Sequence, residues 1–186
     1  MNTPPPRSDG PSAFTPRQAA AYLRGQHHVA LCLIENGAAP HDWQASSYTT
    51  PEALLDSLVA VVPEYAWTAI DGRCVLHPRQ DIWRAPLSGE AFRGPRLQTA
   101  QAYVEFLRGN APEMADLVPP LLKGDPAAAL YTATVSIRAN CSALQGLVDL
   151  LGPDPSMVFA IERQDANRRV LFFERVDMGR GHHEHE

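Results

Sequence analysis

Tyr48–Pro78, YTTPEALLDSLVAVVPEYAWTAIDGRCVLHP, spells helix start, amphipathic helix, stop, strand, two-residue turn and strand. Thr50 before Pro51 fits an N-cap followed by the first helical position, where the N–H that proline lacks would have no partner anyway. Glu52 adds negative charge in the first turn, where the helix dipole favours it. Leu54, Leu55, Leu58, Val59, Val61 and Val62 recur at helical spacing, and Pro63 ends the run. Tyr65–Ile70 is rich in strand formers, and Arg73–His77 is the return strand. Between them, Asp71-Gly72 suits a type I′ turn, whose two central residues both need positive φ. That loop sets Trp67 opposite Leu76 and Ala69 opposite Cys74, on one face that is expected to meet the helix. One helix and one hairpin are marginal alone, so further strands must come from elsewhere.

Upstream, Thr15-Pro16-Arg17-Gln18 has capping-box spacing and opens a helix that runs to Gly25. Val29–Ile34 is a nearly continuous apolar run, as in a strand buried on both faces. Residues 36–45 read as a loop containing Trp43, and Ser46–Thr49 as a short strand. Pro78–Pro95 reads as an irregular crossing around Trp83, with a short strand at Ile82–Ala85. A helix then begins near Leu97, with Ala100, Tyr103, Val104 and Leu107 on one face and Gly109 as C-cap. Pro112 restarts a short helix through Met114, Leu117 and Val118, and another runs from Pro126 to Leu130. Tyr131–Arg138 alternates apolar and polar residues as a half-wet strand does. Asn140 or Ser142 caps the next helix, whose core face is Leu144, Leu147, Val148 and Leu151. Met157–Arg163 and Arg169–Glu174 form a second hairpin.

Strand, helix and hairpin thus occur twice, at Ser46–Pro78 and Tyr131–Val176. The expected fold is α+β: two similar βαββ-containing halves, with small sheets and helices packed on one face. The expected divisions are a disordered N-terminus at 1–13, a first half at 14–78, a linker at 79–96, a second half at 97–176 and a flexible tail at 177–186.

The chain has 186 residues, 45% of them hydrophobic, which is enough to supply a core. A net charge of -5 and a pI near 5.8 argue against general nucleic-acid binding, which needs a basic surface. There is no polybasic run, and no apolar run approaches the roughly 18 residues of a membrane span, so membrane insertion is not expected. Met1–Gly10 has no apolar signal-peptide core, which taken literally means a cytoplasmic chain; a chain whose signal had been removed would read alike and be periplasmic. Three cysteines make no disulfide framework. Cys32 and Cys74 both fall in expected strands, which leaves one bridge open, but small buried apolar residues are the favoured reading.

Leu54-Leu55-Asp56-Ser57-Leu58, then Tyr65-Ala66-Trp67, then Asp71-Gly72-Arg73-Cys74-Val75-Leu76 resembles the small βαββ modules at the N-terminus of secretins and of some TonB-dependent receptors (STN-like domains). It is also similar to bacterial proteins that carry two such modules, each preceded by a helix and a strand. The resemblance covers both halves and has no signature residue. It implies no enzyme activity and no cofactor: such modules pack against other proteins, form ring subunits or serve in signalling.

The sequence holds no G-x-S-x-G, P-loop, H-E-x-x-H or dinucleotide fingerprint. His182, His183 and His185 sit in a polar tail behind Gly179 and Gly181, where nothing fixes a metal geometry. Trp43 and Trp83 fall in expected loops; they either fold onto the core or mark a partner surface. Open hairpin edges offer a second route, by strand addition. The leading expectation is therefore a non-enzymatic module that binds a protein partner, or a second copy of itself, through a sheet edge or a Trp-bearing loop. A second expectation is a small-ligand binder or hydrolase with a pocket between the halves, using His28, Cys32 and Glu35, of which His28 and Cys32 share a face of a regular strand. An immunity or inhibitor protein is a third class that suits an acidic, motif-free chain of this size.

Overall fold

The structure is a computed structural model that describes residues 13–36, 41–43, 50–87, 96–118 and 131–179. A two-residue strand, β1 (Ala13–Phe14), leads into helix α1 (Pro16–His27). The Thr15–Gln18 capping box forms as its spacing suggests, with Gln18 N donating to Thr15 Oγ1 and Thr15 N to Gln18 Oε1. His28 ends α1 in the left-handed conformation, φ 52°. Strand β2 (Leu31–Ile34) follows, then β3 (His41–Asp42), which pairs antiparallel with β1. Helix α2 (Pro51–Val61) starts at Thr50, whose hydroxyl accepts from Ala53 N at 3.2 Å. Strands β4 (Tyr65–Ile70) and β5 (Arg73–Pro78) make the expected hairpin, with Trp67 opposite Leu76. Asp71 and Gly72 have φ of 49° and 78°, both positive as a type I′ turn requires.

Beyond a 3₁₀ turn at Asp81–Trp83 come β6 (Arg96–Gln98) and helix α3 (Ala100–Asn110), capped by Thr99. A second 3₁₀ turn, Pro112–Met114, precedes β7 (Leu117–Val118). Then follow β8 (Val135–Ile137), helix α4 (Ala143–Asp149) with a Ser142–Gln145 capping box, and the hairpin β9 (Met157–Asp165) and β10 (Arg168–Arg175).

Six strands form one mixed sheet in the order β4-β5-β2-β9-β10-β7. Each hairpin lies beside an earlier strand and parallel to it: β5 beside β2, and β10 beside β7. Helix, strand, helix, hairpin is therefore present twice, and parallel pairing of β2 with β9 joins the two copies. The fold is α+β, and each copy keeps its helices on one face. Leu31, Leu33 and Leu76 meet α1 and α2 on the first face. Cys32, Ile34, Val75, Ile161 and Leu171 meet α3 and α4 on the other. β2 is buried on both faces, which its unbroken apolar run encodes.

Several expectations need correction. The halves do not carry separate small sheets; they share one. The strand that leads each hairpin in the sheet is β2 or β7, so Leu117 and Val118 are strand, not the end of a helix. Of Tyr131–Arg138 only Val135–Ile137 is strand, and it pairs with β6 outside the main sheet. Ile82–Ala85 is not a strand, because a 3₁₀ turn occupies Asp81–Trp83. Cys32 and Cys74 are free thiols; the register pairs Cys32 with Val75 and Leu31 with Cys74, which puts the two thiols on opposite faces. The expected strand at 46–49, the helix at 126–130 and the tail histidines lie outside the described residues.

Cross-links tie the copies together. Arg73, 5% exposed, donates from β5 to Met157 O at 2.8 Å and Asp154 O at 2.5 Å. Within the second copy, Tyr103 of α3 donates its hydroxyl to Ala143 O of α4. Gly146 is required beneath that ring, since a Cβ there would overlap the Tyr103 hydroxyl.

Candidate functional site

The structure does not assemble the pocket expected of His28, Cys32 and Glu35. His28 precedes β2, Cys32 lies within it and Glu35 follows it, and the three have different surroundings. His28 is exposed at the end of α1, with its Nδ1 2.8 Å from Asp177 O. Cys32 is sealed in the sheet centre, and burial pushes its thiol up to about 12. A thiol held that high supplies no thiolate near neutrality, so it is no nucleophile. Glu35 is 8% exposed at the far end of β2, held bidentately by Arg17 at 2.7 Å.

Nor do the tryptophans line a surface. Trp43 packs edge-on against Phe14 and Tyr22 and donates its indole N–H to Ser57 Oγ at 2.9 Å. Trp83 is 0% exposed, and its Nε1 has no hydrogen-bond partner among the described residues. Both rings belong to the core, because each loop folds back over a sheet face that needs cover.

The carboxyl end of β2 carries a charged network that sequence reading passed over. Arg169, 3% exposed, donates to both Asp116 carboxylate oxygens at 2.8 and 2.9 Å, and to Glu113 O and Glu35 O. Its guanidinium lies 5.7 Å from the Trp83 ring centroid. Partial burial alone would raise the Asp116 carboxyl. The Arg169 hydrogen bond and the charges of Arg169 and Arg163 outweigh it and hold the group below its usual value. Arg17, Glu35, Glu162 and Arg163 extend the network. Its charges are mutually satisfied, which suits joining the two copies better than chemistry.

An open groove of about 760 Å³ runs beside Asp154, Ser156, Arg175, Asp177 and Met178. Its polar groups are spent on one another: Asp154 accepts from Ser156 N and Oγ and pairs with Arg175. Among the described residues no three His, Cys, Asp or Glu side chains group as a metal site. None of the described helices is long and apolar enough to cross a membrane.

The remaining candidate is an edge. β4 ends the main sheet and pairs within it only with β5. A two-residue hairpin makes Ile70 and Arg73 exchange both bonds, so Thr68 and Ala66 also face β5. Two bonds verify that parity: Arg79 N donates to Glu64 O, and Cys74 N points away from β4 to Ala30 O. The N–H and C=O of Tyr65, Trp67 and Ala69 therefore point outward. Tyr65 is already capped: its N–H donates to Val62 O, and its C=O accepts from Arg79 Nη2 at 3.0 Å. Trp67 and Ala69 have no backbone partner among the described residues. The Trp67 indole N–H is satisfied by Asp56 Oδ1 at 2.8 Å, which fixes the ring over the first face.

Beneath the edge, His77 is buried at 0% exposure. Its Nδ1 lies 2.7 Å from Pro78 O and its Nε2 2.9 Å from Thr68 Oγ1, so Nδ1 carries the proton and Nε2 accepts the hydroxyl. Burial lowers its pKa below the ordinary 6.5, and Arg84 and Arg79 lower it further, against the Pro78 bond. The folded state thus favours the neutral ring. Stability is complete above the ordinary value and is lost as pH falls through the lower folded one. Unfolding midpoints in urea are expected to drop from about pH 6.5 downward in the parent, and this component is expected to vanish in His77→Gln.

Comparison of the chain with protein-family models, with curated proteins and with solved structures found no match.

Proposed function

We propose that this chain is a non-enzymatic protein-interaction module, of the kind its likeness to secretin and receptor N-terminal modules implies, that accepts an added strand on β4. One observation carries the reading: the edge is unblunted. Soluble sheets protect their edges with charge, proline, bulges or very short strands. Tyr65-Ala66-Trp67-Thr68-Ala69-Ile70 has no charge and no proline, and its register with β5 runs unshifted. The opposite edge, β7, has two residues and offers little to pair with. Main-chain bonds to Trp67 and Ala69 would supply affinity, and the Trp67 ring beside them would supply selectivity for what lies opposite.

Ala69→Pro tests this. Proline removes one outward N–H and leaves the bonds to β5 intact. Association, whether self-association by sedimentation or capture of another protein by the immobilised chain, is expected to weaken at least about tenfold, the scale of one lost bond. The far-ultraviolet circular dichroism is expected to stay that of the parent. A folded variant that associates as strongly as the parent would remove the reading.

A further inference from the structure

We infer that the strand added to β4 is β4 of a second copy, antiparallel about a two-fold axis at Thr68. This rests on the strand-addition reading and narrows it to one occupant and one register. Because Tyr65 is capped from within its own chain, the free groups are those of Trp67 and Ala69. An antiparallel two-fold pairing satisfies all four of them only when Trp67 lies opposite Ala69 of the other copy. An axis at Trp67 would spend two bonds on Tyr65, which has none to give.

The side chains agree with that register. On the first face the large Trp67 ring meets the small Ala69 of the second copy. On the other face Thr68 meets its own equivalent in a non-hydrogen-bonded pair, a favourable cross-strand combination. Each end of β4 offers both signs of charge. Glu64 stands beside Arg79, whose guanidinium caps Pro63 O, and Asp71 pairs with Arg138. Opposing one end to the other therefore leaves no like-charge excess. Helix α2, which packs on β4, leaves Val61 38% exposed, one of two large apolar side chains so placed among the described residues. The product is one continuous sheet through both copies, with edges only at β7.

Sedimentation velocity of the full chain from about 1 to 200 μM, beside Ala69→Pro, reads the association; that range brackets a dimer of roughly micromolar affinity. The register is read by disulfide capture in a Cys74→Ser background. Thr68→Cys places two thiols across the axis, with Cα atoms about 4.5 Å apart, which a disulfide spans. Ala66→Cys places them four residues out of step, about 13 Å apart, which a disulfide does not span. The expected result is a concentration-dependent dimer weakened at least tenfold by Ala69→Pro, with Thr68→Cys dimers forming at least tenfold faster than Ala66→Cys dimers. A parent monomeric throughout overturns the self-pairing alone; Ala69→Pro-sensitive capture of a different protein would then still support strand addition. A dimer indifferent to Ala69→Pro overturns both. Equal capture rates overturn the register and with it the inference. If Thr68→Cys does not fold, because it loses the His77 bond, the sedimentation pair decides alone.

Discussion

Arg169→Ala is expected to lower folding stability by about 3–5 kcal/mol, the usual result of removing one partner from a buried charge pair. The side chain is 3% exposed and makes two bonds to the Asp116 carboxylate and two to backbone carbonyls from different elements. Its loss leaves the Asp116 carboxylate, together with Glu35 O and Glu113 O, short of donors at the point where the copies join. Urea unfolding should show a lower midpoint with an unchanged slope. The acid limb gives a second readout. The folded pKa of Asp116 lies below its ordinary 3.8, so its contribution is present above that value and is lost as pH falls through the lower one. In Arg169→Ala that acid-side loss should shrink. Arg168→Ala is the control: among the described residues its guanidinium reaches only exposed Asp165, and the midpoint should scarcely move. An Arg169→Ala midpoint matching the parent's would mean that this network does not hold the sheet together.

Trp83→Ala is expected to cost about 3–5 kcal/mol as well, in line with aromatic truncation in a core. Trp83 fills the second face between α3, α4 and the sheet, and its ring also receives the Arg169 guanidinium. The two losses should therefore not add, and a double-mutant cycle should show coupling between the pair. Thermal melting of the single and double variants measures both effects. A binding tryptophan would behave otherwise: its truncation would weaken association and leave the melting temperature in place. That outcome would return Trp83 to the interface role its position in an expected loop suggests, and would contradict its burial here.

Much of the local structure was legible because it is written in short windows. The caps at Thr15, Thr50 and Ser142, the I′ turn at Asp71-Gly72 and the register of Trp67 with Leu76 each depend on a few adjacent residues. What failed was non-local. Tyr131–Arg138 alternates well, yet the sheet has no place for it, and only Val135–Ile137 finds a partner. Leu117-Val118 carries almost no strand signal in two residues and is strand because β10 lies beside it. The candidate pocket failed for a related reason: His28 ends α1, Cys32 lies inside β2 and Glu35 follows it, so the three are spread along an extended stretch of chain and face different surroundings.

The edge was half legible. The uncharged, proline-free run Tyr65–Ile70 is plain in the chain, but whether it lies at the rim or in the middle of a sheet is not. Hydrophobic pattern and turn chemistry determined that this protein would be built from helices and hairpins in two similar passes, since those signals act between neighbours in sequence. Only the tertiary structure decided that β2 would pair with β9, merging the two passes into one sheet and leaving β4 at its end. The pairing that joins the two passes is between residues more than a hundred positions apart, such as Ile34 with Ile161, and no short window of sequence records it.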